Sequence, residues 1–394
     1  MTVTAFSRTA TVPRVVTVPR AVTFPRVVTF PRVLPGTAAL SKLVLVCLVC
    51  LMHSTAASAW GYQGHRVVGS IADLLLGPNA AAQVRQILNP DGSHSLDLRK
   101  SGPWADCVKS VVRHSNGTYD YVVNPEHYEY EVPCRPFKSE EERARIVDYA
   151  ARNWTNCLPP SDASDPPPSP CHNTYHFEDV AIQRDRFDRS FQGTNDHDLV
   201  AAIGATIAVL QDKPAPAPFS IKDKKEALML LTHFLGDLHQ PLHVGAVYLD
   251  ASGKLVDPDI GHAVDPDTAT IGGNAILDQN VNLHGEWDDI PTDLGDAETR
   301  ELLAEARSVP PSQSPTSPGP IETWPAAWAT DTLQVAHRAF EGLSFQRTEG
   351  PPHLQWIVTF DDHTAYLWQA DIAKRRQLAK GGARLAEILN TIWP

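Results

Sequence analysis

The sequence predicts one all-α domain, mainly helical and interrupted by long loops. Apolar residues recur at helical spacing, and capping residues stand in front of several of these stretches. Segments rich in Pro, Ser, Gly and Asp separate the stretches. A chain of 394 residues, 42% of them apolar, can fill a large core, and nothing resembles a linker between two cores.

The predicted helices begin near residue 64. Gly64–Leu76 and Ala80–Leu88 are apolar-periodic, and Pro78 is suited to open the second helix. Ser139 and Glu142 form a capping box for a helix to about residue 156. Further predicted helices are Asp198–Gln211, Ser220–Leu238 with Asp223 near its start, Trp328–Leu343 and Asp362–Ile392, where Gly381 and Gly382 are a candidate break. Predicted loops cover residues 158–170, 244–283 with strand-like fragments such as Ala246–Leu249, and 309–320.

The charge of the chain is acidic, with a formal net charge of −12. Residues 1–59 hold six of the 34 cationic side chains and none of the 46 acidic ones, so the remainder is more acidic still. This balance excludes duplex binding through a broad basic face, although bound metal ions could supply positive charge in an enzyme. No stretch reaches the roughly 18 to 20 apolar residues that a membrane span needs.

The first 59 residues are typical of a leader rather than of a folded domain. Residues 11–34 repeat a Val/Thr-Pro-Arg unit, which blocks helices and central strands. Lys42, the apolar run Leu43–Met52 and Ala57-Ser58-Ala59 then form the three parts of a secretory signal. The predicted cleavage falls before Trp60, and the product is secreted or periplasmic. A start codon assigned too early would also explain the long leader.

Four cysteines remain after this cleavage: Cys107, Cys134, Cys157 and Cys171. An even number in an exported chain predicts two disulfides, although three pairings are open. None of these cysteines has the short C-x-x-C spacing of a zinc ribbon.

Histidines and aspartates at helical spacing indicate a metal site. His233 and Asp237 are four residues apart on one predicted helix, and His243 follows Pro241, which must end or kink that helix. His284 and Asp288 repeat the spacing. One such pair is usually a satisfied surface pair, but two pairs with a further histidine predict a polynuclear site of zinc-type ligands.

Separated motifs of the chain resemble a single protein family. They are W-G-Y-Q-G-H at 60–65, W-A-D at 104–106, H-F-L-G-D-L-H-Q-P-L-H at 233–243 and L-H-x-x-W-D at 283–288. In this order they resemble the zinc-dependent single-strand-specific nuclease and 3′-nucleotidase family of moulds, plants and bacteria, within the phospholipase C superfamily. The resemblance spans residues 60–394 as one domain. It implies a mainly helical fold with three Zn²⁺ in a cleft, hydrolysis of single-stranded DNA and RNA to 5′-phosphate products, and cleavage of 3′-mononucleotides.

The resemblance also implies the ligands of these three ions. One Zn²⁺ would be bound by Asp106, His176, His233 and Asp237, and another by His243, His284 and Asp288. The third would take the α-amino nitrogen and carbonyl oxygen of Trp60, together with His65 and the bridging Asp237. Because a free amine at Trp60 exists only after cleavage, export would create the third site.

His176 departs from the family spacing because it lies about 70 residues beyond Asp106. His127 is nearer in sequence, but His176 is preferred because His176-Phe177-Glu178-Asp179 keeps an Asp three residues after the His. The stretch at about 110–172 is therefore expected to be an insertion held by disulfides.

The remaining roles implied by the resemblance concern catalysis and substrate binding. Asp106 would orient the attacking water, and Lys109, partnered by Asp179, would neutralise charge on the pentavalent phosphorus. Asn274 would hydrogen-bond the substrate. Candidate side chains for base stacking are Tyr62, Tyr128, Tyr130, Tyr175 and Phe177.

Two other functions remain open at this stage. A phospholipase C would share the fold and the zinc set, but it carries Glu where this chain has Asp288, which favours the nuclease. A non-catalytic secreted metal-binding or adhesion module has the four-cysteine insertion as its support.

Overall fold

The computed structural model describes residues 60–123, 128–158, 169–261, 264–279, 281–291, 294, 299–310, 319–348 and 356–394. Its α-helices are α1 Tyr62–Leu75, α2 Pro78–Leu88, α3 Leu98–Ser101, α4 Trp104–Val108, α5 Tyr128–Cys134, α6 Glu140–Arg152, α7 Leu199–Leu210, α8 Lys224–Asp237, α9 Leu283–Asp288, α10 Thr299–Ser308, α11 Trp324–Ala339 and α12 His363–Ile392. Its strands are β1 Val111–Arg113, β2 Tyr119–Tyr121, β3 Val180–Ala181, β4 Gly245–Ala246, β5 Tyr248–Leu249, β6 Leu255–Val256, β7 Ile276–Asp278, β8 Val281–Asn282, β9 Leu343–Arg347 and β10 Trp356–Phe360. The mainly helical fold is confirmed. The leader with its cleavage site and His127 lie outside the described residues.

Helix α8 is the central element of the core. Asp223 caps it by accepting a hydrogen bond from the Glu226 N–H at 2.9 Å, and every residue from Glu226 to Asp237 is buried. Because its sequence is apolar on all sides, the helix is stable only when other helices surround it. Helices α1, α7 and α12 pack against it. His233 and Asp237 are therefore held in the interior of the protein.

Helix α12 is continuous, so Gly381 and Gly382 do not break it. A Cβ atom at Gly382 would lie 2.5 Å from Ile71 Cβ, far inside van der Waals contact. The glycine therefore lets α12 approach α1 closely. The cost of glycine in a helix, about 1 kcal/mol, is offset by the packing that this approach permits.

The disulfides join Cys107 to Cys134 and Cys157 to Cys171. The first ties α4, which carries Asp106, to α5. The second joins the segment after α6 to the 3₁₀ turn Cys171–His176. Both ends of the stretch at about 110–172 are therefore fixed next to predicted ligands, which restricts the chain's freedom at those points.

Strands β8, β7, β10 and β9 form a mixed sheet in that order, with β7 and β10 parallel. The sequence analysis did not predict β9 and β10. Each strand has only five residues, and its partner strand is either far away in sequence, as β7 is from β10, or separated from it by a long connection, as β9 is from β10. The sheet supports α9, which begins directly after β8. No helix within the described residues is both long and apolar enough to cross a membrane.

Candidate metal centre

Three groups of His and Asp side chains converge around the C-terminal end of α8. In each group the ligand atoms lie within 4.8 Å of one another. The groups are His65, His233 and Asp237; Asp106, His176 and His233; and His243, His284 and Asp288. The structure therefore brings together all the side chains that the sequence predicts as metal ligands apart from Trp60, which is placed separately below.

The first group joins α1 to α8. The imidazole rings of His65 and His233 stack with centroids 3.7 Å apart, and His65 Nε2 lies 3.4 Å from Asp237 Oδ1. Gly236 makes this possible, because a Cβ there would lie 2.5 Å from His65 Nδ1. Sequence reasoning missed the role of this glycine, although its place beside Asp237 was a signal of close packing.

The second group shares residues with the first. His176 Nδ1 lies 3.0 Å from His233 Nε2 and 2.9 Å from Asp237 Oδ2. Asp106 Oδ1 is 3.8 Å from His233 Nε2. His176 lies about 70 residues beyond Asp106 in the sequence, and the 3₁₀ turn that ends at His176 brings it to the site. Its prediction as a metal ligand requires this position. The carboxylate of Asp237 reaches histidines of both groups.

The third group is built by the 3₁₀ turn Pro241–His243 and by α9. His243 Nε2 is 3.0 Å from His284 Nε2, and Asp288 lies 3.9 and 3.6 Å from these two nitrogens. Gln240 donates a hydrogen bond from Nε2 to Asp288 Oδ1 at 2.7 Å, and its Oε1 accepts from the Leu242 N–H at 2.5 Å. Sequence reasoning did not identify Gln240 as the residue that orients Asp288, although it stands inside the H-Q-P-L-H motif.

The hydrogen bonds of the third group fit a bound cation. His243 Nδ1 donates to the His176 carbonyl and His284 Nδ1 donates to the Gly272 carbonyl, each at 2.6 Å. Burial lowers the pKa of both imidazoles, so each is neutral and holds its single proton at Nδ1. The facing Nε2 atoms therefore both present lone pairs, and neither can donate to the other. A bound cation would accept both lone pairs and so remove the repulsion between the two Nε2 atoms.

The buried carboxyl groups of Asp237 and Asp288 also indicate a site for cations. Burial raises the pKa of Asp237 and Asp288 well above the usual range of a carboxyl group. No described residue donates a hydrogen bond to the buried Asp237 Oδ1. Burial also lowers the pKa of His65 and His233 to about 4, which leaves these residues neutral. A bound cation would offset this effect of burial and stabilise the ionised form of the two carboxyl groups, and imidazole nitrogen with carboxylate oxygen is a donor set for zinc.

Lys109 is placed beside Asp106. Its Nζ lies 2.8 Å from Asp106 Oδ1. Although burial opposes the charged forms, this pairing holds the pKa of Asp106 below its usual value and that of Lys109 above it. The pairing of Lys109 with Asp179 stays a prediction; burial raises the pKa of Asp179 to about 7.

Asp179 lines a cavity of about 580 Å³ next to the metal groups. Phe177, with a residue exposure of 38%, and Gly272 also line this cavity. No described residue donates to the buried Asp179 Oδ1. Asn274 donates from Nδ2 to the Ile271 carbonyl at 2.9 Å, and it adjoins the cavity without lining it.

The other stacking candidates are less accessible. Tyr175 is fully buried and donates its hydroxyl to Asn156 Oδ1, so it belongs to the core. Tyr62 is half-buried at the start of α1. The side chains of Tyr128 and Tyr130 lie outside the described residues.

Trp60 is fully buried beside α1. A Cβ at Gly64 would lie 2.8 Å from Trp60 Cβ, and the Gly61 N–H donates to the Asp288 carbonyl at 2.8 Å. This hydrogen bond ties the start of the predicted mature chain to a predicted ligand of the third group.

Replacing Gly236 with Ala is expected to weaken zinc binding by about 10- to 100-fold, because the new methyl group must displace the His65 ring. Bound zinc measured during titration with a chelator checks this. Gly204→Ala on α7 is the matched control, because no heavy atom outside its own helix lies within 4 Å of a Cβ there. Equal zinc affinity of the two variants would contradict the expectation.

Comparison with known proteins gives a consistent result across the chain. The family model "S1/P1 Nuclease" matches residues 60–169 and 167–394. Endonuclease 2 of Arabidopsis thaliana is 25% identical over 352 residues, which cover 85% of this chain and 90% of the relative. Endonuclease 5 of the same plant is 22% identical over 89% of this chain and 97% of its own length. With this match on a helical fold that gathers three His and Asp groups, the chain belongs to the S1/P1 nuclease family and is a hydrolase of phosphodiester bonds in nucleic acids.

Proposed function

We propose that this chain is a secreted zinc-dependent endonuclease that hydrolyses single-stranded DNA and RNA to 5′-phosphate products and also cleaves 3′-mononucleotides. The observation that carries the proposal is the convergence of three metal-ligating groups around the C-terminal end of α8, with an exposed aromatic residue, Phe177, directly after the predicted ligand His176. The domain that acts is residues 60–394, with an insertion at about 110–172.

Three Zn²⁺ would be held by the side chains that the structure gathers. Asp106, His176, His233 and Asp237 would hold one, and His243, His284 and Asp288 another. His65 and Asp237 would hold the third with the α-amino nitrogen and carbonyl oxygen of Trp60. Zinc bound here supplies Lewis acidity and positive charge, and it lowers the pKa of water to about 7.

Asp106 and Lys109 would act on the phosphate. The Asp106 carboxylate can accept a hydrogen bond from the attacking water and orient it, because its pKa is held low and it remains ionised. The Lys109 ammonium, 2.8 Å from that carboxylate, would lie beside the phosphate and offset the charge that develops on its oxygens. Both groups would then act on the same phosphate group of the substrate.

Selectivity for single strands would come from the cavity beside the metal groups. Phe177 presents a partly exposed ring, on which an unstacked base can lie at a gain of about 1 to 3 kcal/mol. Asp179 offers a buried carboxyl in the same cavity that can hydrogen-bond a base edge. A paired base in a duplex cannot enter such a cavity without leaving its stack.

Export would be part of the activity. The signal-type sequence before Trp60 and the two disulfides support secretion into an oxidising compartment. Cleavage before Trp60 would release the amine that completes the third site.

Protein that begins at Trp60, with its disulfides formed, tests the proposal. It is assayed on single-stranded DNA, duplex DNA, RNA and phosphatidylcholine, with and without a chelator. We expect both single-stranded nucleic acids to be cut, duplex DNA to be cut at least about tenfold more slowly, and all cleavage to stop with the chelator. Release of the lipid headgroup with intact nucleic acid would overturn the proposal in favour of a phospholipase C. Bound zinc without any hydrolysis would favour a binding module.

A further inference from the structure

A fourth group of metal-type ligands lies outside the three groups described above. Asp278 ends β7, Glu286 lies on α9, and His363 is the first residue of α12. Each offers one ligand atom, and these atoms lie within 4.8 Å of one another. His363 Nε2 is 2.6 Å from Asp278 Oδ2. We call these three residues the β7–α12 cluster.

The β7–α12 cluster faces away from the third metal group. Glu286 is two residues from both His284 and Asp288, which corresponds to about 200° around a helix. Its side chain therefore leaves α9 on the side opposite to these two residues. A ligand in the β7–α12 cluster would be separate from one held by His243, His284 and Asp288.

The polar groups of the cluster are incompletely satisfied. The carboxyl groups of Asp278 and Glu286 are in hydrogen-bonding contact, and the Asp278 side chain is 8% exposed. Within the described part of the chain, no donor reaches the buried Glu286 Oε2. Lys374 is close, but its Nζ donates to the Glu286 carbonyl at 2.5 Å rather than to the carboxylate. Carboxyl groups in such contact share a proton, and a divalent cation that displaces this proton would bind both groups in their ionised form.

We propose that Asp278, Glu286 and His363 bind a divalent cation of the first transition row, with Zn²⁺ as the representative ion. One imidazole nitrogen and two carboxylate oxygens suit such an ion. The His363 side chain is 38% exposed, so one side of the site is open for exchange and for a water ligand. The ion would join β7, α9 and the start of α12. It would thereby stabilise the helix that carries His284 and Asp288, without contacting the substrate.

Zinc content measures this site without relying on activity. Protein that begins at Trp60 is equilibrated with buffered free Zn²⁺, and bound zinc per chain is measured for the parent, His363→Gln and Asp278→Asn. We expect each variant to hold about one Zn²⁺ fewer at a free concentration that fills the parent. The melting temperature of the parent should also rise over the range of free Zn²⁺ that fills this site, and that of the variants should not.

His114→Gln is the matched control. His114 Nε2 pairs with Asp120 Oδ2 at 2.8 Å, a similar His–Asp contact without a third ligand among the described residues. It should keep the full zinc content. Equal zinc content in the parent, His363→Gln and Asp278→Asn would overturn the proposal. Circular dichroism reports whether each variant folds. If one variant fails to fold, the zinc content of the other decides the test.

The inference does not depend on the proposed function. In ¹¹³Cd NMR of the cadmium-substituted protein, the fourth site should give a resonance that both variants lose while the remaining resonances persist. A parent protein that lacks nuclease activity but shows this resonance would reject the proposed function alone.

Discussion

Asp237→Asn is expected to reduce nuclease activity by about 10³-fold or more and to lower zinc content. Asparagine keeps the volume of the side chain but removes its negative charge. The carboxylate oxygens lie 3.4 Å from His65, 2.9 Å from His176 and 3.2 Å from His233. One substitution therefore disturbs two ligand groups, which is why the expected loss exceeds that from replacing a ligand of one group.

Initial rates on single-stranded DNA and zinc bound per chain check this result. Asp91→Asn is the control, because Asp91 is exposed, lies outside the cavity that Phe177 lines, and accepts a hydrogen bond from the Ser93 N–H at 3.0 Å. It should keep full activity. A near-normal rate and zinc content in Asp237→Asn would show that the bridging role is wrong.

Adding one alanine before Trp60 is expected to cost about 10²-fold in activity and to remove about one Zn²⁺ per chain. The added residue converts the α-amino group into an amide, whose nitrogen is a poor metal ligand. Trp60 is fully buried, and Gly61 is tied to the Asp288 carbonyl at 2.8 Å. The extra residue would therefore crowd the start of α1 as well as remove a ligand.

Alanine added after Pro394 is the matched control, since Pro394 is exposed at the other end of the chain. Both proteins carry one additional residue, and only the N-terminal addition should lose zinc. Full zinc content and activity in both would show that the free amine is not a ligand and that export has no part in building the site.

The sequence predicted the helical part of the fold because the signals are local. Ser139 and Asp223 cap α6 and α8 through hydrogen bonds to backbone N–H groups three residues ahead, so their helices begin where the sequence indicates. The same local spacing placed His233 with Asp237 and His284 with Asp288, each pair on one helix face.

Contacts between distant residues required the tertiary structure. Sequence left three disulfide pairings open, and the fold selected Cys107 with Cys134 and Cys157 with Cys171. The fold placed the Lys109 ammonium 2.8 Å from Asp106, and it brought Asp179 and Phe177 to the lining of one cavity. Such choices depend on which surfaces pack together, and a one-dimensional pattern does not encode them.

By itself, then, the sequence determined a mainly helical nuclease with His and Asp ligands at four-residue spacing. Only the tertiary structure decided how His65, His176 and His284 meet the ligands on and beyond α8, that the Gly272 carbonyl fixes the protonated nitrogen of His284, and that Asp278, Glu286 and His363 form a fourth cluster. The physical reason is the sequence distance over which each interaction acts. Helix formation follows from neighbours within a few residues, whereas a metal site needs side chains from separate elements within a few ångströms of one point.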